Sequence, residues 1–192
     1  MRQKVITHPW LDALKVYTQP RVLGMLFLGF SAGLPLLLVL GTLSFWLREA
    51  GIDRSTIGYL SWIGLAYGFK WAWSPLVDRM PLPILTRLLG RRRSWLLFAQ
   101  AGIIAGLVGM AMTDPSQDLT RIAQFAILVA FASATQDIAL DAYRIEAVKV
   151  EWQAAMAATY QTGYRIAMIA ASAGVLWIAA SVDISEVTYE HA

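Results

Sequence analysis

The run Val22 to Trp46, VLGMLFLGFSAGLPLLLVLGTLSFW, holds 25 residues without a charged side chain. A bilayer core about 30 Å thick takes about 20 residues at a helical rise of about 1.5 Å each. Lipid offers backbone amides no hydrogen-bond partners, so a run of this length and composition is read as a membrane-spanning helix. Working outward, four more apolar runs follow: Ile57 to Val77, Ser94 to Met112, Thr120 to Tyr143 and Gln153 to Val182. The reading is an all-α, polytopic transmembrane helical bundle over residues 22–182, with five helices.

Composition agrees with that class. Of 192 residues, 57% are hydrophobic and 15% charged, which a soluble domain of this size would not keep in solution. The chain has no cysteine, which excludes a disulfide framework and a thiolate metal site. Only His8 and His191 remain as imidazole ligands, both near chain ends, so neither a structural metal nor another cofactor is expected. The first apolar run is too long for a signal-peptide core and is expected to stay as a helix.

The net charge of +3 does not point to nucleic acid, because the basic residues lie between apolar runs instead of lining one face. They read as topology. Arg2, Lys4, Lys15 and Arg21 precede the first run, and Arg79, Arg87 and Arg91 to Arg93 follow the second, whereas the alternate loops carry only Arg48, Arg54 and Arg121. By the positive-inside rule, segment 1–21 and loop 78–93 are expected on the cytoplasmic side of the membrane, and the tail 183–192 outside.

Within the runs, Pro35 is expected to bend or break the first helix. Gly29-x-x-x-Gly33 and Gly102-x-x-x-Gly106 put glycines on one helix face for close packing. Trp46, Trp71, Trp73 and Trp95, near span ends, read as interfacial anchors. The connector Met80 to Leu89, with Pro81 and Pro83, reads either as a short interfacial helix or as an irregular loop.

Charges inside the runs carry the functional expectation, since each is costly in lipid. Lys70, Asp137, Asp141 and Arg165 stand out. Asp137, Asp141 and Arg144 form one stripe at i, i+4 and i+7, and a partly desolvated carboxylate facing a basic group suits a proton relay, with Asp137 the first choice. The alternative for Asp141, Arg144 and Glu146 is a structural ion-pair network. Arg165, near the middle of the fifth run, offers an always-charged fork of donors to an anionic solute, with Gln161 at i−4 and Ser172 at i+7 on the same face. Alternatively, Arg165 pairs with an acidic neighbour such as Asp137. Lys70 either snorkels to the surface or faces a cavity, where it is expected to bind substrate together with Arg165 and Gln161. No helical His/Glu metal pair and no serine or cysteine nucleophile with a base is evident, so an enzyme is not expected.

Two sets of motifs carry a resemblance. Pro75-Leu76-Val77-Asp78-Arg79, resumed at Gly90-Arg91-Arg92, resembles the loop motif between helices two and three of the major facilitator superfamily, although Ser74 stands where that motif has glycine. This implies a latch of helix ends through Asp78, Arg79, Gly90, Arg91 and Arg92. Phe69-Lys70-Trp71-Ala72-Trp73-Ser74-Pro75, with Ala134-Thr135-Gln136-Asp137-Ile138-Ala139-Leu140-Asp141-Ala142-Tyr143 and Gly163-Tyr164-Arg165, is similar to AmpG-type permeases and their acetyl-CoA transporter relatives. That resemblance implies import of anhydro-muropeptides, driven by protons, for peptidoglycan recycling and β-lactamase induction signalling. It also implies a partial N-terminal lobe, five helices being short of a six-helix lobe, with the bilayer, a muropeptide-like solute, protons and a missing C-terminal lobe as partners and no nucleic acid. The rival readings are a non-transporting membrane module, either degenerate or truncated, and a carrier of a related anionic solute such as acetyl-CoA.

Overall fold

The computed structural model describes the backbone of residues 15–190 and the side chains of residues 15–182. Arg2, Lys4, His8 and His191 lie outside the described residues.

Helix α1 (Pro20–Leu37) starts with Pro20 at its first position, where a missing N–H costs nothing, and passes through a π turn (Leu38–Thr42) into α2 (Leu43–Glu49). Pro35 therefore does not break the run. The irregularity falls just after it as a π turn, and the helix continues for 30 residues. The fifth run is built alike, with α9 (Gln153–Ile169), a π turn (Ala170–Gly174) and α10 (Val175–Glu190). Helical backbone thus extends to Glu190, past the position 182 expected from hydropathy.

The second run departs most from a regular helix. It is divided into α3 (Arg54–Leu60), α4 (Leu65–Gly68) and α5 (Ser74–Arg79), joined by 3₁₀ turns at Ser61–Gly64 and Lys70–Ala72. Gly58, Gly64, Gly68 and Pro75 lower its helical stability, so tertiary packing sets its winding. Among the described residues, four helices are long and apolar enough to cross a membrane, over Pro20–Glu49, Arg91–Ala111, Leu119–Glu146 and Val150–Val182. The broken segment 54–79 is not among them. The connector contains a short helix, α6 (Leu85–Leu89), before α7 (Arg91–Ala111) and α8 (Leu119–Glu146).

Glycines decide which helices meet. A Cβ on Gly29 or Gly33 would overlap the carbonyls of Tyr160 and Tyr164 on α9, and one on Gly163 would overlap the Leu26 carbonyl. α1 and α9 therefore touch backbone to backbone, as the glycine spacing predicted. Gly106 and Gly109 likewise admit Val129 and Phe125, which seats α8 on α7. Buried side chains fill the remaining space. One cluster includes Val39, Leu43, Ile103, Ile122 and Val129, and another Ala32, Val77, Trp95, Ile138 and Leu140.

Two of the expected interfacial tryptophans are tertiary contacts instead. Trp95 is 5% exposed and donates its indole N–H to the Met80 carbonyl at 3.0 Å. Trp73 donates to Thr135 Oγ1 at 3.2 Å and lies 5.0 Å, centroid to centroid, from Phe131. A buried indole needs a partner for its N–H, and the connector and α8 supply it.

Candidate functional site

The broken segment brings candidate functional side chains together. In 3₁₀ winding, residues three apart eclipse one another, so a segment with two 3₁₀ turns can set Tyr67, Lys70 and Trp73 toward one neighbour. That neighbour is α8. Lys70 Nζ lies 3.6 Å from Asp137 Oδ2, with the carboxylate side chain 13% exposed and the lysine 36%. The pairing resolves the alternatives for Lys70: its ammonium meets a buried carboxylate and does not snorkel away from the helices.

Asp137 Oδ1 and Gln136 Oε1 are buried without a hydrogen-bond partner among the described residues, and Tyr67 Oη and Ser133 Oγ are buried close to each other without a hydrogen bond of good geometry. Tyr67, Tyr160 and Tyr164 are all within electrostatic reach of Asp137. One flank of the acid is thus a lysine at the edge of ion-pair range, and another carries phenols from the segment 54–79 and α9. Leaving a buried polar atom unpaired costs about 1 to 3 kcal/mol, so such a concentration is not a product of stability alone.

A second polar knot lies on the α1 side of α8. Gln100 Nε2 and Gln136 Nε2 each donate to Ser31 Oγ, at 3.3 Å and 3.2 Å. Gln136 is fully buried, with its amide oxygen unused. The sequence singled out none of Ser31, Tyr67, Gln100, Ser133 or Gln136 as a site residue. Ser133 at i−4 of Asp137 and Tyr67 at i−3 of Lys70 were the available signals, since those spacings share a face with the charges.

Arg165 is exposed on α9, and its Nη1 lies 4.0 Å from Met168 Sδ. It does not pair with Asp137, whose cation is Lys70. Gln161 is exposed as well, whereas Ser172 donates to the Met168 carbonyl at 2.8 Å, within its own helix. Asp141 pairs with Arg144 at 3.5 Å, one turn beyond Asp137 on α8.

At the ends of the helices, Arg92 Nη1 meets Asp78 Oδ1 at 2.6 Å and Arg92 Nη2 meets Glu146 Oε1 at 2.7 Å, with Nε adding 3.1 Å to the same oxygen. One guanidinium thereby joins α5, α7 and α8. Among the expected latch residues, Asp78 and Arg92 make these contacts. Arg79 and Arg91 form no ion pair among the described residues, and Gly90 serves through its backbone, with φ +78° just before α7. Glu146, assigned by the sequence reading to a separate network, is the third member.

Long apolar helices, a largely buried acid paired with a half-exposed lysine, and helix ends tied by one arginine define a multi-pass membrane protein of transporter type. The family model described as Acetyl-coenzyme A transporter 1 matches residues 22–117. The anhydromuropeptide permease of Escherichia coli K12 is 41% identical over 166 residues, which is 86% of this chain and 33% of that protein. Putative transporter AmpG 4 of Rickettsia felis is 38% identical over 165 residues, 86% of this chain and 40% of its own length. Putative transporter AmpG 3 of Rickettsia prowazekii is 34% identical over 163 residues, 84% of this chain and 39% of its own length.

The chain belongs to this transporter family, and its AmpG-type relatives turn the resemblance at residues 69–75, 134–143 and 163–165 into a relationship over most of the chain. It spans 33% to 40% of the length of these curated relatives. They are named as permeases and transporters, not as enzymes.

Proposed function

We propose that the chain forms the first part of an inner-membrane importer that couples uptake of anhydro-muropeptides to protons, with segment 1–21 and loop 78–93 cytoplasmic. One observation carries this reading: Asp137 is buried in the helical bundle with one oxygen 3.6 Å from Lys70 and the other without a partner among the described residues. A proton, or a donor on a solute, would supply the missing partner. Lys70 would hold the acid in its charged form and be released when the acid is neutralised, so proton uptake changes a contact between the segment 54–79 and α8. Asp141, one turn away, would take part through its charge.

Arg165 and Gln161, exposed four residues apart on α9, suit the carboxylates and amides of a peptide-bearing sugar. Asp78, Arg92 and Glu146 would hold one set of helix ends closed in one conformation and part in the other. The test is uptake of a labelled anhydro-muropeptide by a full-length parent, with the accompanying proton flux. Asp137→Asn is expected to abolish proton movement and accumulation, and Arg165→Gln to raise the solute concentration needed for half-maximal uptake. Unimpaired uptake in both variants overturns the assignments.

A second reading rests on the family description: an anionic thioester such as acetyl-CoA would also suit Arg165. Competition between the two solutes for uptake decides between them.

A further inference from the structure

Between Arg79 and Arg93 the chain has five arginines and no acidic residue. Only Arg92 is neutralised, by Asp78 and Glu146 together. Arg87, Arg91 and Arg93 are exposed and their guanidinium groups form no ion pair or hydrogen bond among the described residues, although Arg91 stands within electrostatic reach of the already occupied Glu146. Arg91 and Arg93 occupy the first turn of α7, where the helix dipole disfavours cations, so the arrangement favours an anion brought from outside.

The connector that carries Arg87 and leads into Arg91 also exposes apolar side chains. Ile84 is 73% and Leu88 77% exposed, on a connector that leads directly into a helix of 21 residues able to cross the membrane. Ile84 has φ +67°, a region that β-branched residues rarely adopt, so the backbone is strained where its side chain stands free. Beside the arginines a shallow pocket of about 260 Å³ is lined by Gly90, Arg91, Arg92, Arg93, Tyr143 and Glu146. A soluble anion would use the arginines and leave the apolar side chains wet. A phospholipid presents a phosphate directly above hydrocarbon in one molecule, and its anionic forms match the charge surplus.

We propose that Arg87, Arg91 and Arg93, with Ile84 and Leu88, form a docking site for the headgroup and upper acyl region of an anionic membrane phospholipid.

The experiment titrates the detergent-purified protein with phosphatidylglycerol or phosphatidylcholine, counting retained lipid by native mass spectrometry and following the melting temperature by tryptophan fluorescence. Phosphatidylglycerol is expected to be retained preferentially and to raise the melting temperature, and raised salt should erase that preference. The triple variant R87Q/R91Q/R93Q should hold phosphatidylglycerol at least about tenfold more weakly, the loss expected when several phosphate-facing charges near a membrane are removed. Its melting temperature in phosphatidylcholine should be unchanged. If that variant melts early in phosphatidylcholine too, the salt dependence of the wild type and the retention of lipid by R87K/R91K/R93K decide instead. Equal retention of both lipids by the wild type, a preference insensitive to salt, or unchanged retention by the glutamine variant overturns the proposal. So does inorganic phosphate alone reproducing the rise and displacing the lipid, which would assign the arginines to a soluble anion.

Discussion

Asp137 and Lys70 belong together because neither is satisfied alone. Lys70→Met removes the sole cation seen beside a buried carboxylate and is expected to destabilise the protein by about 1 to 3 kcal/mol, the range for a buried polar group left without a partner. The double variant K70M/D137N removes both charges and should recover most of that loss without recovering uptake, because the proton carrier is gone. Melting temperatures of the three variants beside an uptake assay separate the structural role of the pair from its transport role. Destabilisation of the double variant equal to the sum of the two single variants' losses would mean the pair is not coupled. Asp53 is a simpler case, outside the spans. It caps α3 by accepting from the Thr56 amide at 3.0 Å and from the hydroxyls of Ser55 and Thr56, and these donors hold its carboxyl below the usual carboxylate range. Its stabilisation is therefore full above the ordinary aspartate pKa of about 4 and is lost as pH falls from there through the lowered folded value. The gap in melting temperature between wild type and Asp53→Ala should be constant near neutrality and close only in strong acid.

At the scale of elements, the glycine seam and the two π turns are linked features of one helix pair. Gly163→Ala drives a methyl group into the Leu26 backbone, which cannot rotate aside, and is expected to cost at least the roughly 1 to 3 kcal/mol of an overpacked core. Gly58→Ala, on α3 with open space around it, should be neutral or stabilising by up to about 1 kcal/mol through helix propensity. Chemical denaturation of both variants checks the contrast. The π turn at 38–42 meets the one at 170–174 through Thr42, whose hydroxyl donates to the Ala171 carbonyl at 2.5 Å. Thr42→Val removes that donation at nearly constant volume and should cost about 1 kcal/mol. The glycine spacing on α1 was legible in the sequence, because period and residue type suffice to define a close-packing face. The π turns were not, since their position depends on the partner helix accepting a displaced side chain. Nor was the division of the second run, which hydropathy reads as continuous while its winding answers to contacts with α8.

For the whole molecule, the arginine bridge between Asp78 and Glu146 joins three elements that are far apart in sequence. Orientation is open to direct measurement, because the chain has no cysteine to interfere with labelling. A cysteine placed at Arg87 should react with an impermeant maleimide in inside-out vesicles and not in intact cells, and one placed at Ser116 should do the reverse. The opposite pattern would invert the proposed topology and with it the direction assigned to the proton.

By itself the sequence determined the membrane class, the apolar runs, the glycine faces and the intramembrane charges, because these depend on composition and local period, and its resemblance to a family loop motif pointed to the helix-end residues. It reached Asp137 and Lys70 separately, and Glu146 only as part of another network. The pairing of Lys70 with Asp137 in preference to Arg165, the role of Arg92 as the shared cation, the burial of Trp95 and the contacts of Trp73, and the polar atoms of Tyr67, Ser133 and Gln136 were decided by tertiary structure alone. Each of these depends on which helix faces lie opposite one another, and burial and charge pairing are properties of that juxtaposition, which no single helix period encodes.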